Sequence, residues 1–240
     1  MTQYTKVLSL FIFGALLSFV FPVTGQTKEF TVVIDAGHGG KDPGALGSSS
    51  REKDITLSVA KKVGTLIEKN HRDVKVIYTR KDDSFVALDR RAAIANNAKA
   101  NLFISIHCNA LPKRQNSPQG VETFILGLHR SKDNLEVAKK ENSVILLEEN
   151  YSQKYEGFNP QEPESYIIFE FMSDQYLKQS LHLASLVQNS LVHNSGRINR
   201  NVRQAGFLVL REVAMPSILV ELGYISNPND EKYLKSTTGQ

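Results

Sequence analysis

Three apolar stretches of this chain end in, or lead at once into, a side chain that binds metals or moves protons. Phe30-Thr-Val-Val-Ile-Asp35 leads to His38, Leu102-Phe-Ile-Ser-Ile106 ends on His107, and Ser217-Ile-Leu-Val220 ends on Glu221. A fourth group, Glu52, lies in the loop Ser48-Ser-Ser-Arg-Glu-Lys-Asp54, between a glycine-rich turn and a helical pattern. Two imidazoles and one carboxylate have the composition of a catalytic zinc site that keeps one position for water. The turn itself, Asp35-Ala-Gly-His-Gly-Gly-Lys-Asp-Pro-Gly44, puts four glycines around His38. Glycine loses more backbone freedom on folding than any other residue. Such a loop makes sense where the chain must turn His38 inward and leave room for a substrate.

Each residue also has an everyday reading. Glu52 alone would be a carboxylate complementing a helix dipole, worth under about 1 kcal/mol. Glu221 would be a strand-end glutamate paired with Arg211. Asp35 serves equally well to orient a ligand histidine or to cap the glycine turn. Cys108 follows His107 directly, and adjacent strand residues face opposite ways, so it is expected to be a packed thiol. His71 falls at the opposite strand edge, while His182 and His193 fall on or near the end of a helix. His129 follows a strand at the correct edge and is a candidate substrate contact.

The elements that must position these groups follow from periodicity. Strands are expected at Phe30–Asp35, Val74–Thr79, Leu102–His107, Val121–Leu126, Phe207–Leu210 and Ser217–Glu221. Apolar residues at helical spacing predict helices over Asp54–Lys69, Leu88–Ala98 and Asp174–His193. Near-continuous apolar strands alternating with helices predict an α/β single domain. Its core would be a central, mostly parallel twisted sheet of about six strands, flanked by helices on both faces. The carboxyl ends of parallel strands lie along one edge, which is where ligands bind in such sheets. Residues 133–173 are less regular: Asp133–Tyr151 has a helical pattern, and Glu156-Gly-Phe-Asn-Pro-Gln-Glu-Pro-Glu164 breaks it with two prolines.

The 240 residues carry a formal charge of +4 and 41% hydrophobic residues, which suits one globular domain. Basic residues are scattered and not interleaved with aromatics, which argues against nucleic-acid binding. With one cysteine there is no internal disulfide. Residues 1–25 combine Lys6, an apolar run over Val7–Phe21 and a Val-Thr-Gly ending, and read as a signal peptide cleaved before Gln26. The run is shorter than the ~20 residues a membrane span needs, so no stable anchor is expected after cleavage. The mature domain would be residues 26–240, in the periplasm or secreted.

The segments "VVIDAGHGGKDPGALG", "REKDITLSVAKKV", "RRAAIANNAKANLFISIHCNA" and "QAGFLVLREVAMPSILVELGYISNP" resemble the zinc-dependent N-acetylmuramoyl-L-alanine amidases of the AmiC-like class. The resemblance runs from Phe30 to about Leu234. It implies one Zn2+ per chain held by His38, Glu52 and His107, with Glu221 as the catalytic glutamate. The reaction it implies is hydrolysis of the amide between N-acetylmuramic acid and L-alanine of peptidoglycan, in wall remodelling or daughter-cell separation. Zinc would lower the pKa of water to about 7 and polarise the scissile carbonyl, while Glu221 moves the proton.

Some members of the class carry a helix, in the place of residues 133–173, that plugs the site with a glutamate. Ala138-Lys-Lys-Glu-Asn142 resembles its start, which makes Glu141 the candidate autoinhibitory ligand and implies an activator protein. A solvated helix face fits the same charges. The family continues past "SNPND" with a further helix that this chain, stopping at Gln240, would lack. Two alternatives remain beside this reading. Two histidines and a carboxylate also form the facial triad of iron oxygenases, and a non-catalytic wall-binding module could keep the fold. A phosphate-cradling loop is excluded because "GHGGKDPG" lacks the required spacing.

Overall fold

Strand β1 (Phe30–Ala36) buries every residue after Phe30. A strand this apolar has no wet face, so it must lie inside a sheet covered on both sides. The computed structural model, which describes residues 29–111, 118–171 and 175–240, places it there. The expected signal peptide lies outside these residues. The other strands are β2 (Val74–Tyr78), β3 (Leu102–Asn109), β4 (Val121–Leu126), β5 (Asn199–Ala205) and β6 (Ser217–Tyr224). They form one six-stranded sheet in the order β2-β1-β3-β6-β4-β5. All neighbours run parallel except β4 and β6.

Alternation along the strands assigns the two faces. Val32, Ile34, Ile106 and Cys108 pack under helix α1 (Glu52–Asn70), against Ile55, Val59 and Ala60. The opposite face carries Val33, Phe103, Phe124 and Leu219. Helix α2 (Leu88–Asn97) and helix α3 (Lys132–Asn142) cover it. On the α1 side, Ile125, Ile218 and Val220 continue the first face under helix α4 (Leu177–His193), with Ala184 at the contact. His107 and Glu221 alternate with Cys108 and Val220 and therefore point to the second side, toward α2 and α3.

The helical stretch expected to reach Tyr151 stops as α-helix at Asn142 and tightens into a 3-10 turn over Ser143–Leu147. The expected strand Phe207–Leu210 is not one. The sheet edge is instead the polar segment Asn199-Arg-Asn-Val-Arg-Gln-Ala205, and Leu208–Arg211 forms one helical turn. An edge strand is held on one side by ladder hydrogen bonds and needs no apolar run. Phe207, Leu208 and Leu210 are buried because they fill the core beneath α2 and α3. At the other end Asn227 accepts from the Asn229 and Asp230 backbones and Pro228 opens helix α5 (Pro228–Lys235), so this helix begins inside the "SNPND" segment.

Candidate metal centre

The glycine loop after β1 works by absence of side chains. A Cβ on Gly37 would meet His107 Cε1 at 2.5 Å, and one on Gly44 would meet His38 Cδ2 at 2.6 Å and Glu52 Oε2 at 2.8 Å. His38 itself has φ of 61°, in the left-handed region that costs a non-glycine residue energy unless its surroundings fix it. Two buried arginines do so. Arg91 donates to the carbonyls of Ala36 and His38 (2.7 and 2.8 Å), and Arg80 donates to those of Ala36 and Gly37 (2.9 and 2.8 Å).

His38 Nδ1 lies 2.7 Å from Asp42 Oδ2, so its Nε2 faces the opposite way. Glu52 is the first residue of α1 and wholly buried. Its two oxygens accept from the backbone N–H groups of Cys108 and Ala45, each at 2.8 Å. His107, late in β3, turns Nδ1 toward the same space, 3.2 Å from Glu52 Oε1. Glu141, on the last turn of α3, comes in from above: its Oε2 is 3.1 Å from His38 Nε2 and 2.9 Å from His107 Nδ1. His38 Nε2 also stands 3.1 Å from Glu52 Oε1.

Donor atoms of all four residues lie within 4.8 Å of one another. Tetrahedral zinc bonds of about 2.0–2.2 Å separate neighbouring ligands by roughly 3.4 Å, and the contacts in this set, 2.9–3.2 Å, are close to that. Despite these short distances, His38 Nε2 and Glu141 Oε2 have no hydrogen-bond partner. Buried polar atoms left in this way call for a further partner. Two nitrogens and two oxygens, all buried, could hold a metal ion there.

The charges of the cluster polarise one another strongly. Burial opposes protonation of His107, yet Glu141 and Glu52 push its pKa up to about 9. Burial likewise opposes the charge on His38, and Glu52, Asp42 and Glu141 outweigh it and raise its pKa. Burial disfavours the ionised forms of Glu52 and Glu141 as well. His38 and Lys140 nevertheless hold Glu52 low, and Lys140 and His107 hold Glu141 low. A cation would take the place of these protons.

Glu221 is the register partner of His107 on the neighbouring strand. Neither of its buried carboxylate oxygens has a hydrogen-bond partner. Burial first, then the negative charge of Glu141, pushes its pKa well up. The expected alternative for Glu221 fails, since Arg211 pairs with Glu212 at 2.7 Å. Glu52 does stand at the N-terminus of α1, as its dipole reading expects, but its carboxylate is buried among the donor set.

The structure therefore brings His38, Glu52, His107, Glu141 and Glu221 together. Asp35 takes neither role foreseen for it. It accepts from Thr79 (2.6 Å), Arg91 (2.7 Å) and Ser105 (2.6 Å) beneath the loop. The residue that orients His38 is Asp42, four positions along, where a carboxylate in the glycine turn was the only signal. The alternative of a solvated helix face does not hold for Lys140. Instead it is 2.8 Å from Glu141 Oε1 and 3.6 Å from Glu52 Oε2. Cys108 is the packed thiol expected. His129 lies against Tyr166, ring centroids 6.4 Å apart, and is not part of the donor set.

Residues 32–240 match the family described as N-acetylmuramoyl-L-alanine amidase. The chain is similar to the N-acetylmuramoyl-L-alanine amidase AmiC of Escherichia coli O6:H1, with 36% identity over 224 residues, 90% of this chain and 50% of that protein. It thus spans about half the length of that relative. Among solved structures, an N-acetylmuramoyl-L-alanine amidase from Clostridium difficile 630 superposes with a TM-score of 0.63 at 29% identity, covering 88% of each chain. The CwlD amidase of Clostridioides difficile, solved in complex with the GerS lipoprotein, gives 0.52 at 25% identity, covering 88% of this chain and 90% of that one.

Proposed function

Because the chain belongs to the N-acetylmuramoyl-L-alanine amidase family, we propose that this domain hydrolyses the amide joining N-acetylmuramic acid to L-alanine in peptidoglycan, with His38, Glu52 and His107 holding one zinc ion. The observation that carries the reading is a buried set of two nitrogens and two oxygens within 4.8 Å of one another, beside a carboxylate left without any hydrogen-bond partner. When bound, zinc supplies activation of water and polarisation of the scissile carbonyl. Asp42 fixes the orientation of His38, and the Cys108 and Ala45 backbones fix Glu52. Glu221 takes the proton of the attacking water and hands it to the leaving amine of L-alanine. Its isolation from donors suits that shuttle, because no hydrogen bond has to break first.

Glu141 stands among the donor atoms, where substrate or water would bind, which supports a blocked resting enzyme. Lys140 reinforces the block by pairing with Glu141 and standing beside Glu52. Catalysis then requires α3 to withdraw, and an envelope protein that draws it away is the proposed activator. CwlD, solved with a lipoprotein, supports the idea of such a partner. Residues 1–25 direct export, and the enzyme acts in the periplasm or outside the cell, in wall remodelling or cell separation.

Two measurements test this. Mass spectrometry of digested wall fragments should show intact peptides beginning with L-alanine, released by the wild type and absent with Glu221→Ala. Cleavage within sugar or peptide would reject the assignment. Glu141→Ala should raise basal hydrolysis by about tenfold or more, and an unchanged rate would remove the blocking role.

A further inference from the structure

A cavity of about 160 Å³ lies next to the metal centre, lined by Arg200, Arg203, Glu122, Tyr224 and, from α3, Asp133 and Asn134. It shares a wall with the catalytic strand: Glu122 of β4 is the register partner of Glu221. Its two arginines are not equally engaged. Arg203 Nε stands 2.9 Å from Glu122 Oε2, and its Nη1 donates to the Asn134 side-chain oxygen at 2.9 Å. Arg200 stacks its guanidinium over the Tyr224 ring, 5.3 Å from the centroid, and its buried Nε has no hydrogen-bond partner. No ion pair reaches Arg200 among the described residues. A cation next to an active site, held flat by an aromatic ring and short of an acceptor, is arranged to receive an anion.

Helix α3 indicates where that anion sits. Asn134 and Glu141 are both buried on the helix, seven residues apart and so on one face. At a rise of ~1.5 Å per residue they are about 10 Å apart along the axis. One helix therefore covers two places at once, Glu141 at the cation position and Asn134 at the arginines. An extended peptide spans at most ~3.6 Å per residue, so 10 Å from the cleaved bond takes about three residues. In the peptidoglycan reading, the glycan strand offers no free carboxylate once its lactyl group is amidated, whereas the stem peptide carries carboxylates along its length.

We propose that Arg200 and Arg203 form a carboxylate-binding subsite for the stem peptide, about three residues beyond the cleaved bond, and that α3 masks it with Asp133 and Asn134. The subsite rests on the amidase reading. It makes α3 a mimic of the substrate across both the reacting bond and its anchor. Recognition at this subsite then depends on peptide charge.

The test compares two substrates, a muramoyl tripeptide with free carboxylates and the same molecule with the carboxylates beyond L-alanine amidated. Both are offered to zinc-loaded Glu141→Ala protein with and without Arg200→Gln. Loss of one charged hydrogen bond corresponds to roughly tenfold to a hundredfold in affinity. Arg200→Gln should raise KM for the free-carboxylate substrate by about that factor at nearly constant kcat. It should leave the amidated substrate unaffected, which also shows that the variant is folded. Arg200→Lys should recover part of the loss. An equal loss on both substrates, or no loss on either, overturns the subsite. If the Glu141→Ala parent releases stem peptide from neither substrate, the amidase reading itself falls, and the subsite with it.

Discussion

Two buried charge clusters meet at the glycine loop, and they differ in how their polar atoms are used. Around Asp35 every contact is closed: Thr79, Arg91 and Ser105 donate to its oxygens, and Arg91 also donates to the Val86, Ala36 and His38 carbonyls. Three residues along the chain, the centre built from His38, Glu52, His107 and Glu141 leaves atoms of two of its members unpartnered, and Glu221 beside it has none. Burying an unpartnered polar atom is unfavourable, and a fold tolerates several in one place only where a ligand or reaction uses them. Equal burial thus hides opposite purposes. The first cluster is a brace, and the second has the makings of a site.

Substitutions should separate the two. Glu221→Gln keeps the shape and removes the proposed proton shuttle, so amide hydrolysis should fall by about 10²–10⁴-fold. Thermal stability should hold or rise slightly, because an unpartnered buried carboxylate is removed. A Tm drop large enough to explain the lost rate would make Glu221 part of the brace. Asp35→Ala should do the reverse. Breaking one side of a buried ion pair costs roughly 3–5 kcal/mol, and denaturant titration should show that loss with activity failing only as the protein unfolds. A fully stable Asp35→Ala protein would mean that Arg91 does not depend on its partner.

The smallest effect concerns a third carboxylate that is neither brace nor site. Burial opposes ionisation of Glu231, but hydrogen bonds from Ser48, Ser49 and Ser50 hold its pKa down to about 2, against an ordinary 4.5. A group depressed on folding adds stability above its unfolded pKa and loses it as pH falls toward the folded one. The wild type should therefore lose stability between about pH 4.5 and pH 2, and Glu231→Gln should flatten that part of the curve. An unaltered slope would show that the serine loop does not grip the charge.

Much of the site was legible because its residues sit at strand ends, where topology dictates convergence. His107 and Glu221 needed only the register of two apolar strands, and His38 needed only its glycines. The edge strand was misplaced because Asn199–Ala205 is polar, and an outer strand carries no hydrophobic alternation to read. Asp42, Lys140 and the pair Arg200 and Arg203 were illegible for a different reason. Their roles come from the docking of α3 and the loop onto the sheet, which no local spacing encodes. Glu141 was approached through a resemblance, since on periodicity alone it belongs to an ordinary charged helix.

The central claim is that His38, Glu52, His107 and Glu141 face one cation. Metal analysis of the purified protein, repeated on His38→Ala and His107→Ala, tests it most directly. The account predicts one zinc per chain in the wild type and less than about a tenth of that in either variant, each still folded by circular dichroism, since zinc affinity depends on its full ligand set. Zinc at full occupancy in both variants, or a wild type that takes up none when zinc is supplied, would contradict it.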